Sequence, residues 1–302
     1  MIFIQHHCVP SSHRPKGRSG MCPPPVRICQ SSQRPDPANL LGLANARRKN
    51  GEICTGAWIW LPLMDRLKAD GHGVEAFDLP GMGDDHTSAS EVSLDSYAGR
   101  LCEVLAANSE PTIVVAHSMG GIVATQAAAR CPARVAALVY VAAFLPKDGQ
   151  SLVDLTKLPE GDGEQVLANV VVEGEPPVAV MPAAASRHVL YGSCAEDVAA
   201  WAIARQCPQP VSPLPMAVSI PPGALNGINR YYVLCTRDRA IPPPLQRRMI
   251  AENPCAEVIE LDTDHTPQLS VTNELAKALH QFATHSSAGA GKARTSERLC
   301  SI

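Results

Sequence analysis

No stretch of this sequence approaches the roughly 18–20 consecutive apolar residues that span a bilayer as a helix, so no membrane role is expected. Charge of one dominant sign is also missing. The formal net charge is −3, which gives a nucleic-acid or anionic-membrane partner no electrostatic support. Cysteine is plentiful, at 11, but no CxxC pair and no Cys/His cluster at zinc spacing occurs. Neither a metal nor another cofactor is therefore expected. An odd number of scattered cysteines reads as free thiols in a reducing compartment. The opening MIFIQHHC lacks a basic stretch ahead of an apolar core, so it does not read as a secretory signal, and a cytoplasmic location is the expectation.

The 302 residues, 45% of them hydrophobic, suffice for one large α/β domain with an inserted subdomain. Residues 1–50 stand apart. They are rich in Pro, Ser, Arg and His, and no acidic residue precedes Asp36. Only IFI at 2–4 and LLGLA at 40–44 are apolar there. The expectation is an atypical or disordered extension. From Trp58 the pattern changes. WIWLPLMDRLKAD has helical spacing and stops at Gly71. GVEAFDLP reads as a strand, and SLDSYAGRLCEVLAA as a helix opened by Ser93 and Ser96, without the usual acid of a capping box.

TIVVA at 112–116 is an unbroken β-branched run, as in a strand buried on both faces of a parallel sheet. A small-residue helix, GIVATQAAAR, and a second buried strand, VAALVYVAAF, complete a βαβ unit. Residues 147–229 break the alternation and read as an insertion, with helices at QVLANVV and AEDVAAWAIAR. NRYYVLCTRD, LQRRMIAEN, AEVIELD and VTNELAKALHQFAT then restore strand, helix, strand and helix. Residues 285–302 read as a disordered tail. The core is thus expected in 51–146 and 230–284.

The sharpest motif is Ala116-His117-Ser118-Met119-Gly120, followed by Gly121. It fits the nucleophile elbow G-x-S-x-G with Ala in the first position. A serine on a strained strand-to-helix turn needs small neighbours, and the helix that follows aims its N-terminus at the reacting oxygen. A Ser in an ordinary loop is the bland alternative, but the placement between an apolar run and a helix favours the elbow. A serine hydroxyl needs a base, and the base an orienting carboxylate. In elbow-bearing hydrolases the order is Ser, acid, His. Asp238, after YYVLCTR, and His265, in ELDTDHTPQLS, fit that order. The rival acids are Asp262 and Asp264, which sit too near His265 in sequence. The rival bases are His72, His86 and His117, the last expected to point away from the nucleophile.

The segments GAWIW, RLKADGH, VEAFDLPGMGDD, VSLDSYA, VVAHSMGG, VYVAAFLPKDG and TDHTPQLS together resemble the plant methylesterase/hydroxynitrile-lyase family of the α/β-hydrolase superfamily and its bacterial esterase relatives. The resemblance covers residues 53–283. It implies an α/β-hydrolase fold with a mostly parallel central sheet, triad roles for Ser118, Asp238 and His265, and a mostly helical cap at 147–229 over an apolar pocket. It also implies an oxyanion hole from the backbone N–H groups of Met119 and Ile53. Hydroxynitrile lyases of this family tend to carry Lys after the histidine; here that residue is Thr266, which favours ester hydrolysis. The family's first strand and its His-Gly pair have no counterpart just upstream of GAW, where the chain reads Gly51-Glu52 after LANARRKN. The expected function is hydrolysis of small apolar esters through an acyl-enzyme, with a small-molecule ester as partner. The alternatives are a hydrolase-like small-molecule receptor with weak turnover and cyanohydrin cleavage. Oligomeric state is left open, a homodimer included.

Overall fold

The structure, a computed structural model, describes residues 1–6 and 55–297. Strand β1 (Ile2–His6) opens the chain. From Leu61 follow α1 (Leu61–Ala69), β2 (His72–Ala76), α2 (Leu94–Ala106), β3 (Thr112–Ser118), α3 (Gly120–Arg130) and β4 (Val135–Ala143). The insertion carries α4 (Leu152–Thr156), β5 (Val171–Glu173), β6 (Val178–Val180), α5 (Ala183–Val189), α6 (Glu196–Ile203) and β7 (Gln209–Pro210). The core then resumes with β8 (Asn229–Cys235), α7 (Pro243–Glu252), β9 (Glu257–Leu261), α8 (Pro267–Ser270) and α9 (Thr272–Glu297). Among the described residues no helix is long and apolar enough to cross a membrane.

Six strands form one sheet in the order β2-β1-β3-β4-β8-β9. The pairs β3–β4, β4–β8 and β8–β9 are parallel. The apolar runs explain why the centre is covered on both faces. In β4, Ala137, Val139 and Val141 join one core and Leu138 and Tyr140 the other, as the two-residue period of a strand requires. Helices α2, α3 and α7 pack on the second face, α1 and α9 on the first.

The N-terminus departs from the sequence reading. IFI is not part of an extension: Ile2–His6 fills the place between β2 and β3, with Ile2 and Ile4 in one core and Phe3 in the other. Three alternating apolar residues are enough for a strand when both neighbours supply ladders. β1 runs antiparallel to both, so Ile2 pairs with Val115 beside the elbow and His6 with His72 at the far end. Two smaller differences have local causes. Ser96 replaces the missing acid of the capping box: its Oγ accepts from Ser93 N–H at 2.9 Å while Ser93 Oγ accepts from Ser96 N–H at 3.0 Å. Helix α9 continues past Thr284 to Glu297, propagating from turns that Leu275, Leu279 and Phe282 already hold in the core.

The insertion is mixed rather than mostly helical. β5, β6 and β7 form a small antiparallel sheet. QVLANVV is not a helix, because its backbone finds partners elsewhere: Gln165 N–H donates to Arg239 C=O, and Val171 pairs with Val180. AEDVAAWAIAR does form α6.

Among the described residues the free-thiol expectation also changes at Cys102 and Cys131. Cys102 of α2 and Cys131 at the end of α3 form a disulfide with Cα atoms 6.2 Å apart. Among the described residues, Cys194, Cys235 and Cys255 stay outside any disulfide. With its ends 29 positions apart in sequence, this bond is expected to stabilise the fold by about 3–4 kcal/mol through the unfolded chain. Urea unfolding of Cys102→Ser beside the oxidised parent checks this; equal midpoints would show that the bond does not clamp α2 to α3.

Candidate active site

β3 ends at Ser118 and α3 begins two residues later, so the serine occupies a turn with almost no slack. Its φ is 54°, in the left-handed region that costs a side-chain-bearing residue about 1–2 kcal/mol. The surroundings hold it there. Phe144 N–H donates to Ser118 C=O at 3.1 Å, and the pairing with β4 slips by one residue between His117 and Ser118. The small residue this geometry demands most is Gly121. A Cβ there would lie 2.0 Å from Phe144 O, whereas at Gly120 the nearest atom would be 3.8 Å away. The glycine of the motif proper is thus the more tolerant of the two.

Ser118, His265 and Asp238 come together although they are far apart in sequence. Ser118 Oγ is 3.0 Å from His265 Nε2, and His265 Nδ1 is 2.9 Å from Asp238 Oδ2. The Asp238 side chain is fully buried. Its Oδ1 accepts from Ala240 and Ile241 N–H at 2.8 and 2.9 Å, and its Oδ2 also accepts from Gln246 Nε2 at 3.1 Å. Gln246, on α7, is buried and bridges further to Ile241 C=O and Cys235 N–H. Its sequence context is an ordinary helix and gives no hint of this task.

The rivals lie elsewhere. Asp262 is exposed and pairs with Arg237 at 3.0 Å. Asp264 accepts from Ser193 N–H at 2.6 Å and Ser270 Oγ at 3.1 Å, fastening the histidine loop to the insertion. His72 sits 2.8 Å from His280 at the far end of the sheet, and His86 is exposed. His117 differs from the expectation that it points away. Its Nε2 lies 2.7 Å from His265 C=O, so it carries the proton there and donates, and its ring lies 4.6 Å from the His265 ring. Desolvation, and secondarily the neighbouring His265, hold the pKa of His117 well below 6.5, so the ring is neutral.

The N–H of Met119, at the N-cap of α3, makes no hydrogen bond among the described residues and stands beside the serine. Ile53 lies outside the described residues. The cavity above Ser118 has a volume of about 190 Å³ and is mainly apolar, with Trp60, Phe77 and Phe144 from the core and Leu152, Val170 and Leu214 from the insertion. Asp78, Glu164 and Met1, the first residue, also line it; among the described residues Lys and Arg do not. Asp78 is already engaged, accepting from Ala57 N–H at 2.5 Å and Asp84 N–H at 3.0 Å. Thr266 Oγ1 donates to Leu190 C=O at 2.7 Å. Among the described residues no group of three or more His, Cys, Asp or Glu is placed to hold a metal ion.

Residues 51–278 match the family model of the alpha/beta hydrolase family. Methylesterase 7 of Arabidopsis thaliana is 33% identical over 76% of this chain and 93% of its own. The chain belongs to the α/β-hydrolase family, in its methylesterase branch. Methylesterase 9 of the same plant is 30% identical over 76% of this chain and 94% of its own. Among solved structures, polyneuridine aldehyde esterase superposes with a TM-score of 0.69 at 23% identity, covering 76% of this chain and 95% of that one, a likeness of fold. Strand β1 lies outside the matched residues of the family model.

Two variants test the packing of this α/β-hydrolase elbow. Gly121→Ala is expected to cost about 3 kcal/mol or more by overpacking against Phe144, and Gly120→Ala under about 1 kcal/mol. Chemical unfolding of both reads the contrast, which equal losses would abolish. His117 makes a second expectation. Its pKa is depressed in the folded state, so its contribution is present above about 6.5 and is lost as pH falls below that value, with a slope of up to about 1.4 kcal/mol per pH unit. Urea midpoints at several pH values should show a smaller acid loss in His117→Gln; parallel curves would contradict it.

Proposed function

We propose that the chain hydrolyses carboxylic esters with a largely apolar body, using Ser118 as nucleophile, His265 as general base and acid, and Asp238 as the orienting carboxylate. The observation that carries this is the continuous contact from Ser118 Oγ through His265 to Asp238 on the floor of the apolar cavity. The methylesterase relatives point to the same reaction class.

In this reading the serine oxygen attacks the ester carbonyl while His265 Nε2 takes its proton. The Met119 N–H, at the positive end of α3, stabilises the oxyanion, and Ile53 N–H is its proposed partner donor. His265 then protonates the leaving alcohol as the C–O bond breaks, which leaves an acyl-serine. A water, deprotonated by the same imidazole, releases the acid and restores the serine. Asp238 holds Nδ1–H and balances the imidazolium charge; its contacts with two backbone amides and Gln246 fix its direction. Thr266 offers no cation for a departing cyanide, and its hydroxyl is committed to Leu190, which favours ester hydrolysis over cyanohydrin cleavage. A cytoplasmic setting and a small-molecule ester as partner, with no nucleic acid or membrane, complete the proposal.

Turnover of p-nitrophenyl acetate tests it. Ser118→Ala is expected to lower kcat by at least about 10³-fold while the protein stays folded. Undiminished turnover in that variant would overturn the assignment.

A further inference from the structure

The proposed reaction leaves one carboxylate in the cavity wall without a task. Glu164 lies in the insertion just after a short turn of helix at Pro159–Gly161, and it lines the cavity. Its position is set from both sides. Glu164 N–H donates to Gly161 C=O at 3.0 Å, and Gln165 N–H donates to Arg239 C=O at 2.9 Å, which ties this turn to the loop that carries Asp238. The carboxylate accepts from Val166 N–H at 2.5 Å and Leu167 N–H at 2.9 Å. These amides orient it but bring no net charge. Desolvation raises its pKa above 4.5, and it senses the charges of both His265 and Asp238.

Among the described residues no Lys or Arg lines the cavity with it; the other carboxylate in the wall, Asp78, has backbone donors of its own and the α-amino group of Met1 as a neighbour. A half-buried carboxylate without a cation pays for lost solvation, and a ligand that brings a positively charged donor recovers that cost. An apolar cavity whose wall holds an oriented carboxylate with no Lys or Arg beside it among the described residues therefore selects for an apolar molecule with a cationic end. The opposite charge is disfavoured: a substrate with a free carboxylate would meet Glu164 with nothing to offset it.

We infer that Glu164 is a specificity-determining residue that receives a protonated amine of the substrate, so that the preferred esters carry a basic nitrogen on an apolar body. This rests on the ester-hydrolase reading of the same site. It adds the substrate class and not the chemistry.

The test uses two esters of matched shape, 4-(dimethylaminomethyl)phenyl acetate, protonated near neutral pH, and 4-isobutylphenyl acetate, with p-nitrophenyl acetate as the reference for hydrolysis itself. The parent is expected to prefer the amine ester in kcat/KM on the order of tenfold, the scale of one partly solvated charge-assisted contact, mostly through KM. Glu164→Gln should bring that ratio close to one, and Glu164→Asp should keep part of it. A ratio near one in the parent, or an unchanged ratio in Glu164→Gln, overturns the inference even while p-nitrophenyl acetate is consumed. If no ester is consumed, the ester-hydrolase reading fails. The inference is then read from calorimetric binding of 4-(dimethylaminomethyl)phenol and 4-isobutylphenol to Ser118→Ala, alone and combined with Glu164→Gln. Tighter binding of the amine only when Glu164 is present supports it, and equal binding rejects it.

Discussion

The backbone of Ser118 is where the rest of the site begins. A residue with a side chain at φ 54° is unfavourable in isolation, and it persists because its neighbours leave no other path. β3 must end there to stay paired with β4, α3 must start two residues later, and Gly121 lets the first turn of that helix press against Phe144 C=O. The result lifts the hydroxyl out of the sheet and brings the N-terminus of α3 beneath it. Lengthening the turn would relieve the backbone and separate the hydroxyl from both the imidazole and the amide of Met119.

The imidazole is held with comparable strictness, from three directions. Asp238 fixes one ring nitrogen, Ser118 faces the other, and His117 grips the backbone carbonyl of His265 from beneath. Each support is itself supported: Asp238 by Gln246 and two amides, His117 by being kept neutral in the cavity wall. Asp264 and Thr266, on either side of His265, fasten its loop to the insertion through Ser193 and Leu190. The insertion therefore both roofs the cavity and takes part in positioning the histidine.

How much of this could be read in advance follows from which interactions are local. The central strands were legible because they are buried on both faces, so TIVVA and VAALVYVAAF are unbroken apolar runs. Ser118 was legible from its strand–turn–helix setting, and Asp238 and His265 from their places after late strands. β1 was hidden because only three apolar residues mark it within a polar segment, and its stability comes from strands 70 and 110 residues away. Within the insertion, β5, β6 and β7 leave no mark in the sequence, because these short strands depend on each other rather than on a period of their own. The roles of His117 and Gln246 had no local signature: His117 meets a carbonyl 148 positions away, and Gln246 reaches back eight residues to Asp238 from an ordinary-looking helix.

Covalent capture of the nucleophile tests the central claim most directly. A fluorophosphonate ester reacts with a serine only where a base and an oxyanion site already activate it. Intact-mass and peptide analysis after brief exposure should show a single adduct on the peptide that contains Ser118, absent in Ser118→Ala and strongly slowed in His265→Ala. An unlabelled protein, or an adduct on another residue with Ser118 free, would contradict the account.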